Sequence, residues 1–322
     1  MSKEKKLIVG SRNSRMALAQ TNEFISVFLE ANQSFKPENI EIKPIATSGD
    51  INQKDRLDLI GGKGLFVKEI ERKLLNKEID VAVHSMKDVP TIMTPGLKIA
   101  SWLARGDERE VLIGDTNKTL MELEPGSIVG TSSIRRRSQV LSLRRDLYIK
   151  IIRGNVDTRI RKLDEGQYTA LILGYGGIKR LGLKDRVAQI FSTNEILPPA
   201  CQASIGVQTV NEDSELMNLI TNTNHKNTSI IGLAERKVLE TLEANCNSPI
   251  GVFASIRNKK IIKIKAELFN HDGNEKYTAE VSGTIKDYIS LAYDVGNKII
   301  DQVGLEYIKK LDDLKNDFNY SP

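Results

Sequence analysis

Short apolar runs alternate with segments of helical period through the first two hundred residues, and no other feature constrains the fold as tightly. "KLIVGS" reads as a strand, and "SRMALAQTNEFISVFLEAN" then sets Leu18, Ile25, Phe28 and Leu29 on one helical stripe. "LFVKEIERKLLNK" repeats the helical period through Phe66, Ile70 and Leu74, and "IDVAVHS" follows as a strand with Ile79, Val81 and Val83 on one side. A second series starts near Glu110: strands "VLIG" and "SIVG", a helix from Ser133, strand "LYIKII", a helix with Val156, Ile160 and Leu163, and strand "TALILG". Strand followed by helix, repeated, predicts parallel sheets with helices on their faces.

After Lys226 the pattern changes. A helix places Ile231, Ala234, Val238 and Leu242 on one face, and "KKIIKIKAELF" alternates with Ile262, Ile264, Ala266 and Leu268 on one side. An Asp-Gly turn signal in "NHDGNE" leads to "KYTAEVSG" as an antiparallel partner, and two further helices follow from Thr284 onward. The fold class expected is α/β, with two α/β domains and a smaller C-terminal α+β domain. The expected boundaries are 1–104 with 200–224 for the first domain, 105–199 for the second and 225–322 for the third. No sequence repeat or low-complexity segment is evident.

A chain of 322 residues exceeds one comfortable core, which agrees with several domains. Its 40% apolar and 28% charged content is that of a soluble globular protein. The apolar run Leu7 to Gly10 is too short for a signal-peptide core, and no run is long enough to span a bilayer. Cys201 and Cys246 lie far apart among only three histidines, so neither a disulfide framework nor a metal site is expected. A reducing cytoplasm fits this usage, and no membrane partner is expected.

Charge is concentrated in one window. From Gly130 to Lys162 eight Arg and two Lys stand against two Asp, a net +8 in a chain whose net charge is +5. A block of this kind is ordinarily a solvated face or a nucleic-acid patch, but the placement here is specific. "GTSSIRRR" follows a strand and opens a helix, so Ser132 or Ser133 caps an N-terminus where free N–H groups attract anions. Arg135 and Arg136 in that first turn oppose the helix dipole, so a ligand with several carboxylates or phosphates is expected to neutralise them. "RGNVDTR" also follows a strand, which brings Arg153 and Arg159 to the same sheet edge. The window has a single aromatic, Tyr148, and no stacking platform, so no nucleic-acid partner is expected.

Other segments sit at strand ends too. "VAVHSMKDVP" presents His84, Ser85, Lys87 and Asp88 after a strand, and "GSRNSR" presents Arg12 and Ser14. A lone Lys-Asp pair is ordinarily a surface ion pair. Beside an anion site, however, a carboxylate has a use only if positive charge forms during reaction. "IGGKGLF" puts Lys63 in a glycine loop that lacks P-loop spacing, and "LEANCNSPIG" puts Cys246 in a polar turn at a helix end.

Seven segments, "VHSMKDVP", "GGKGLF", "GTSSIRRR", "RGNVDTR", "KLDEGQY", "GIKRLGL" and "CNSPIG", together resemble the porphobilinogen deaminase family over nearly the whole chain. The resemblance implies two periplasmic-binding-protein-like α/β domains and a third domain carrying a cysteine. It implies a cytoplasmic, monomeric transferase that joins four porphobilinogen molecules head to tail into hydroxymethylbilane, releasing ammonia. It also implies a dipyrromethane cofactor in thioether linkage to Cys246. By the family's pattern Asp88 is catalytic, and Ser85, Lys87, Ser133, Arg135, Arg136 and Arg159 bind the cofactor. Arg12, Ser14, Lys63, Arg153, Arg180 and Gln202 then serve the substrate. The chain departs from the pattern at Leu59, where some members have Lys, and at Arg15, where the family has Pro. Cys201 and Ala203 replace glycines of a "GQGA" segment, and Ala244 and Asn245 replace a Gly-Gly pair before Cys246.

The arginines alone would also suit a non-enzymatic polyanion or small-acid binder on a two-lobed scaffold. Asp88 together with Cys246 separates the two readings, since a binder needs neither.

Overall fold

The structure, a computed structural model, describes residues 6–46, 64–212, 215–245 and 248–313. Lys63, Leu59 and Cys246 therefore lie outside the described residues. The chain divides into two compact units, Met1–Gly106 with Ala203–Ser229, and Asp107–Gln202 with Ile230–Pro322.

The first unit holds β1 (Leu7–Arg12), β2 (Ile40–Ile45), β3 (Val81–Ser85), β4 (Leu97–Trp102) and, far along the chain, β10 (Ile205–Val210). They form one sheet in the order β2-β1-β3-β10-β4, with β1 parallel to both β2 and β3. Helix α1 (Arg15–Ala31) packs on one face and α2 (Gly64–Leu75) on the other. Alternation along β3 explains the two-sided cover: Val81 and Val83 join Phe24 and Phe28, whereas Ala82 joins Ile70 and Leu74. The α1 stripe differs from the one expected. Phe24 and Phe28 are fully buried with Ala17, Gln20 and Thr21 beside them, and Leu18, Ile25 and Leu29 are only half-buried. Each buried Phe contributes about 1.5–3 kcal/mol, which makes these two rings the anchor of the helix.

The second unit repeats this topology. Strands β5 (Glu110–Ile113), β6 (Ile128–Gly130), β7 (Tyr148–Lys150), β8 (Ala170–Gly174) and β9 (Val187–Ile190) are ordered β7-β6-β8-β5-β9. Helices α3 (Ile134–Leu143), α4 (Val156–Asp164) and α5 (Tyr175–Arg180) cover it through Val140, Ile160 and Ile178. In each sheet the fourth strand runs antiparallel to its neighbours, β10 in the first and β5 in the second. The parallel sheets expected from the alternation are thus mixed sheets. The reason is connectivity: β5 follows β4 of the first sheet, and β10 follows β9 of the second, so each arrives from elsewhere and not through a crossover helix.

Helices α6 (Glu215–Thr221) and α7 (Lys226–Thr241) lead to a third sheet, β11 (Ile250–Arg257), β12 (Ile261–Phe269) and β13 (Lys276–Thr284), all antiparallel. Helices α8 (Tyr288–Val303) and α9 (Leu305–Asp313) complete it. The β12–β13 connection leans on α3. Gly273 has φ +69, and a Cβ there would lie 2.2 Å from the Ser138 carbonyl oxygen, so the close backbone approach requires glycine. At the two positions where the family resemblance calls for glycine, Cys201 and Ala203 have φ 60 and 63. Both side chains are therefore held in the left-handed region at roughly 1–2 kcal/mol each.

Candidate active site

In the first unit the C-terminal ends of the neighbouring parallel strands β1 and β3 gather the expected residues. Arg12 ends β1, and the Ser14 hydroxyl caps α1 by accepting from the Ala17 N–H at 3.2 Å. Arg15 takes the first helical position, where a proline is also favoured. Ser85 ends β3, and Lys87 and Asp88 lie in the 3-10 turn Met86–Asp88, all half-buried. His84 is different: the sequence placed it among the presented polar groups, but it is buried. Its Nε2 meets Gln208 Oε1 at 2.9 Å, and Gln208 Nε2 donates to Glu71 Oε1 at 2.8 Å. Because a carboxylate only accepts, the Gln208 amide is oriented and the His84 Nε2 must carry the proton. Burial pulls the His84 pKa below its ordinary value, partly offset by Gln208, Glu71 and Asp88.

In the second unit the ends of β6, β7 and β8 converge in the same way. Ser133 caps α3 by accepting from the Arg136 N–H at 3.4 Å. Arg135 and Arg136 are buried, and their charge is met by a group that sequence reasoning missed. Glu110, fully buried on β5, takes Arg135 on Oε1 and Arg136 on Oε2, the latter at 2.9 Å. Arg135 also donates to the Leu197 carbonyl at 2.6 Å. A neutralising partner was expected here, with a polyanionic ligand as its candidate; in the structure one protein carboxylate serves both guanidiniums. The available signal was a lone Glu opening a strand whose every residue is buried.

Neutralisation is incomplete, since two guanidiniums share one carboxylate. Arg136 Nε is buried without a hydrogen-bond partner among the described residues. Arg159 Nε donates to the Gly154 carbonyl at 2.8 Å, and Gly154 adopts φ +106 in a turn closed against Thr158. Burial, then the positive charges of Arg136 and Arg153, pull the Arg159 pKa down to about 10. A carboxylate-bearing ligand would relieve that strain directly. Arg180 ends α5, half-buried, and Gln202 is buried with Nε2 donating to the Glu108 carbonyl at 2.7 Å. Gln202 Oε1 lies where a Gly174 Cβ would stand only 3.1 Å away, at the end of β8.

Two family descriptions match this chain: "Porphobilinogen deaminase, dipyromethane cofactor binding domain" over residues 7–218 and "Porphobilinogen deaminase, C-terminal domain" over residues 230–301. The chain belongs to the porphobilinogen deaminase family. The porphobilinogen deaminase of Staphylococcus epidermidis is 39% identical over 312 residues, 97% of this chain and 100% of the relative. That of Halalkalibacterium halodurans is 39% identical over 308 residues, 95% of this chain and 97% of the relative. A solved structure, the periplasmic VFT2 domain of Bordetella pertussis BvgS, is 14% identical with a TM-score of 0.39, covering 68% of this chain and 86% of that one. At that score it carries no argument.

The dipyrromethane-binding family region contains every arginine just described. Arg136, whose Nε is buried without a hydrogen-bond partner among the described residues, and the neighbouring Arg159 fit a group that carries several carboxylates. Among the described residues no helix is long and apolar enough to cross a membrane.

Proposed function

We infer that this chain is a hydroxymethylbilane synthase: it joins four porphobilinogen molecules head to tail, releasing ammonia at each step, on a dipyrromethane primer. The observation that carries this reading is the pair of buried guanidiniums, Arg135 and Arg136, that share one carboxylate at the end of β6, inside the family's cofactor-binding region. When bound, the dipyrromethane supplies a tethered acceptor for the growing chain. Each of its pyrroles bears an acetate and a propionate, so Ser133, Arg135, Arg136 and Arg159, with Ser85 and Lys87, hold carboxylates by charge-assisted hydrogen bonds. Arg12, Ser14, Lys63, Arg153, Arg180 and Gln202 serve the incoming porphobilinogen, whose side chains have the same chemistry.

Asp88 is the catalytic residue of this reading. Loss of ammonia from porphobilinogen leaves a cationic methylene carbon, and a carboxylate about 4 Å away at an effective dielectric near 20 stabilises it by about 4 kcal/mol. The same carboxylate accepts and returns the pyrrole N–H proton during coupling. Cys246 is the attachment point, through a thioether. The enzyme works as a cytoplasmic monomer of three domains, with the third sheet and its helices forming the cysteine-bearing one.

Intact-mass measurement tests the assignment. The expected result is a mass excess of one dipyrrole, on the peptide containing Cys246 and absent from that containing Cys201, whose side chain is 1% exposed. Active protein with an unmodified Cys246 would overturn it.

A further inference from the structure

The turn between β7 and α4 is held by side chains and not by regular structure. Residues 151–154 belong to no strand or helix. Three of their carbonyls are nevertheless claimed: Ile151 by the Tyr168 hydroxyl at 2.8 Å, Arg153 by Lys162 Nζ at 3.4 Å and Gly154 by Arg159 Nε at 2.8 Å. Tyr168 is the anchor of this set. It stands just before β8, is 7% exposed, and belongs to the apolar cluster that includes Ile152 and Ile160 of α4. Burial pushes its phenol above the ordinary value, with Arg159 acting the other way, so the hydroxyl keeps the proton that it donates.

To reach the end of β7 from the start of β8 the ring must cross the strand between them, because the sheet runs β7-β6-β8. It does so at Gly130, the last residue of β6. A Cβ there would lie 2.8 Å from Tyr168 Cδ1 and 2.6 Å from a Leu171 methyl carbon. The missing side chain at that strand end leaves the room that the ring fills. Lys150 Nζ, at the end of β7, lies 5.4 Å from the ring centroid. One aromatic thus touches the strand that leads into "TSSIRRR" and the carbonyl two residues before Arg153, and so sets the spacing of those two turns.

We propose that Tyr168 is a positioning residue for Arg153: by fixing the Ile151 carbonyl against the end of β6, it sets where the Arg153 guanidinium meets a carboxylate of porphobilinogen. This rests on the reading of Arg153 as a substrate-side residue. Tyr168 touches no ligand in this role. A guanidinium pairs with a carboxylate through a directed fork, so a small shift of the turn weakens the pair without removing the charge. The cofactor-side groups Ser133 and Arg136 are held by the cap of α3 and by Glu110, and not by the tie to Ile151.

Tyr168→Phe keeps the ring and removes only the hydroxyl. Single-turnover ammonia release by holo-protein is measured over a range of porphobilinogen concentrations, with intact mass recorded in parallel. The half-saturating concentration is expected to rise about fivefold, equivalent to about 1 kcal/mol, while the saturated rate and the dipyrrole mass stay as in wild type. Lys162→Met, which removes a longer tie to the same turn, should raise it only about twofold. A double-mutant cycle decides the route. Arg153→Gln should raise half-saturation by itself, and adding Tyr168→Phe to it should change nothing more, because the two act as one unit. An unchanged half-saturating concentration in Tyr168→Phe, or the same rise with and without Arg153, overturns the positioning role and leaves the enzyme assignment standing. So does loss of the dipyrrole mass in Tyr168→Phe. Wild-type half-saturation in Arg153→Gln overturns the substrate-side reading of Arg153 and this proposal with it. Wild-type protein that releases no ammonia from porphobilinogen overturns the assignment itself.

Discussion

The two five-stranded sheets share one strand order, yet the antiparallel fourth strand of each carries a different kind of buried polar group. On β5 it is Glu110, a full charge between Arg135 and Arg136. On β10 it is Gln208, a neutral amide between His84 and Glu71. The backbone plan is repeated and the electrostatics are not. The second sheet gathers cations at its strand ends and needs an internal anion to tolerate them, two guanidiniums sharing one carboxylate. The first sheet keeps its interior linked by an amide and presents one carboxylate, Asp88, in a short turn. One side chain per sheet thus separates an interior organised around a full charge from one organised around a neutral amide.

The largest expected effect comes from removing that distinction. Glu110→Gln keeps the shape but leaves two buried guanidiniums without a carboxylate, and loss of one partner of a buried ion pair costs about 3–5 kcal/mol. Gln208→Leu in the first sheet leaves Glu71 and His84 each short of one hydrogen bond, at about 1–3 kcal/mol. Native-state hydrogen exchange of the strand amides reads both locally. Opening free energies should fall most in β5, β6 and β8 for Glu110→Gln, and in β3, β4 and β10 for Gln208→Leu. Equal losses in both sheets from either change would remove the contrast.

Asp88→Asn is expected to lower single-turnover ammonia release by about two to three decades, following the estimate of about 4 kcal/mol for one counter-ion at close range. Hydrogen exchange in β3 and β10 should not change, because Asp88 is half-buried in a turn and outside the Glu71–Gln208–His84 chain. Asp88→Glu keeps the charge and should retain more activity than Asn. Wild-type rates in Asp88→Asn would return "VHSMKDVP" to a surface ion pair and leave the first sheet without a chemical role.

Much of this arrangement was legible in the sequence, and the parts that were not share a cause. Apolar period located β1, β3, β6, β7, β8 and the helices between them, because a covered strand or an amphipathic helix writes its burial into consecutive residues. It also placed Ser133 and Arg153 just beyond strand ends, with Arg159 one turn into the helix that follows. The direction of β5 and β10 was not legible: a four-residue strand such as "EVLI" carries no mark of whether it runs with or against its neighbours. Long-range polar pairs were equally silent. Glu110 with Arg135, Gln208 with Glu71, and Asp312 with Ser248 are 25, 137 and 64 residues apart. No local spacing rule reaches across such separations. His84 was misread for the same reason, since the amide that makes its burial tolerable lies 124 residues away.

The smallest effect tests the neutral half through pH. His84 is buried, and its pKa is held below the ordinary value of 6.5 by loss of water, with Arg12 also lowering it while Gln208, Glu71 and Asp88 act the other way. The unfolded chain therefore binds one more proton than the folded one as pH falls below about 6.5, so stability is fully present above that value. It is lost on acidification at up to about 1.4 kcal/mol for each pH unit, until the folded-state pKa is reached. In the second sheet the guanidiniums of Arg135 and Arg159 are pulled down by burial only to about 10, far above this window, so they add no such slope. Trp102, the chain's single tryptophan, is buried on β4 of the first sheet and reports unfolding of that unit. Urea unfolding followed by its fluorescence at pH 7, 6 and 5 should lose stability progressively in wild type. His84→Gln, which still offers an N–H to Gln208 but does not titrate, should flatten that dependence. The same slope in both proteins would mean that the first sheet's acid sensitivity arises elsewhere, and that its interior is not set apart by a neutral imidazole.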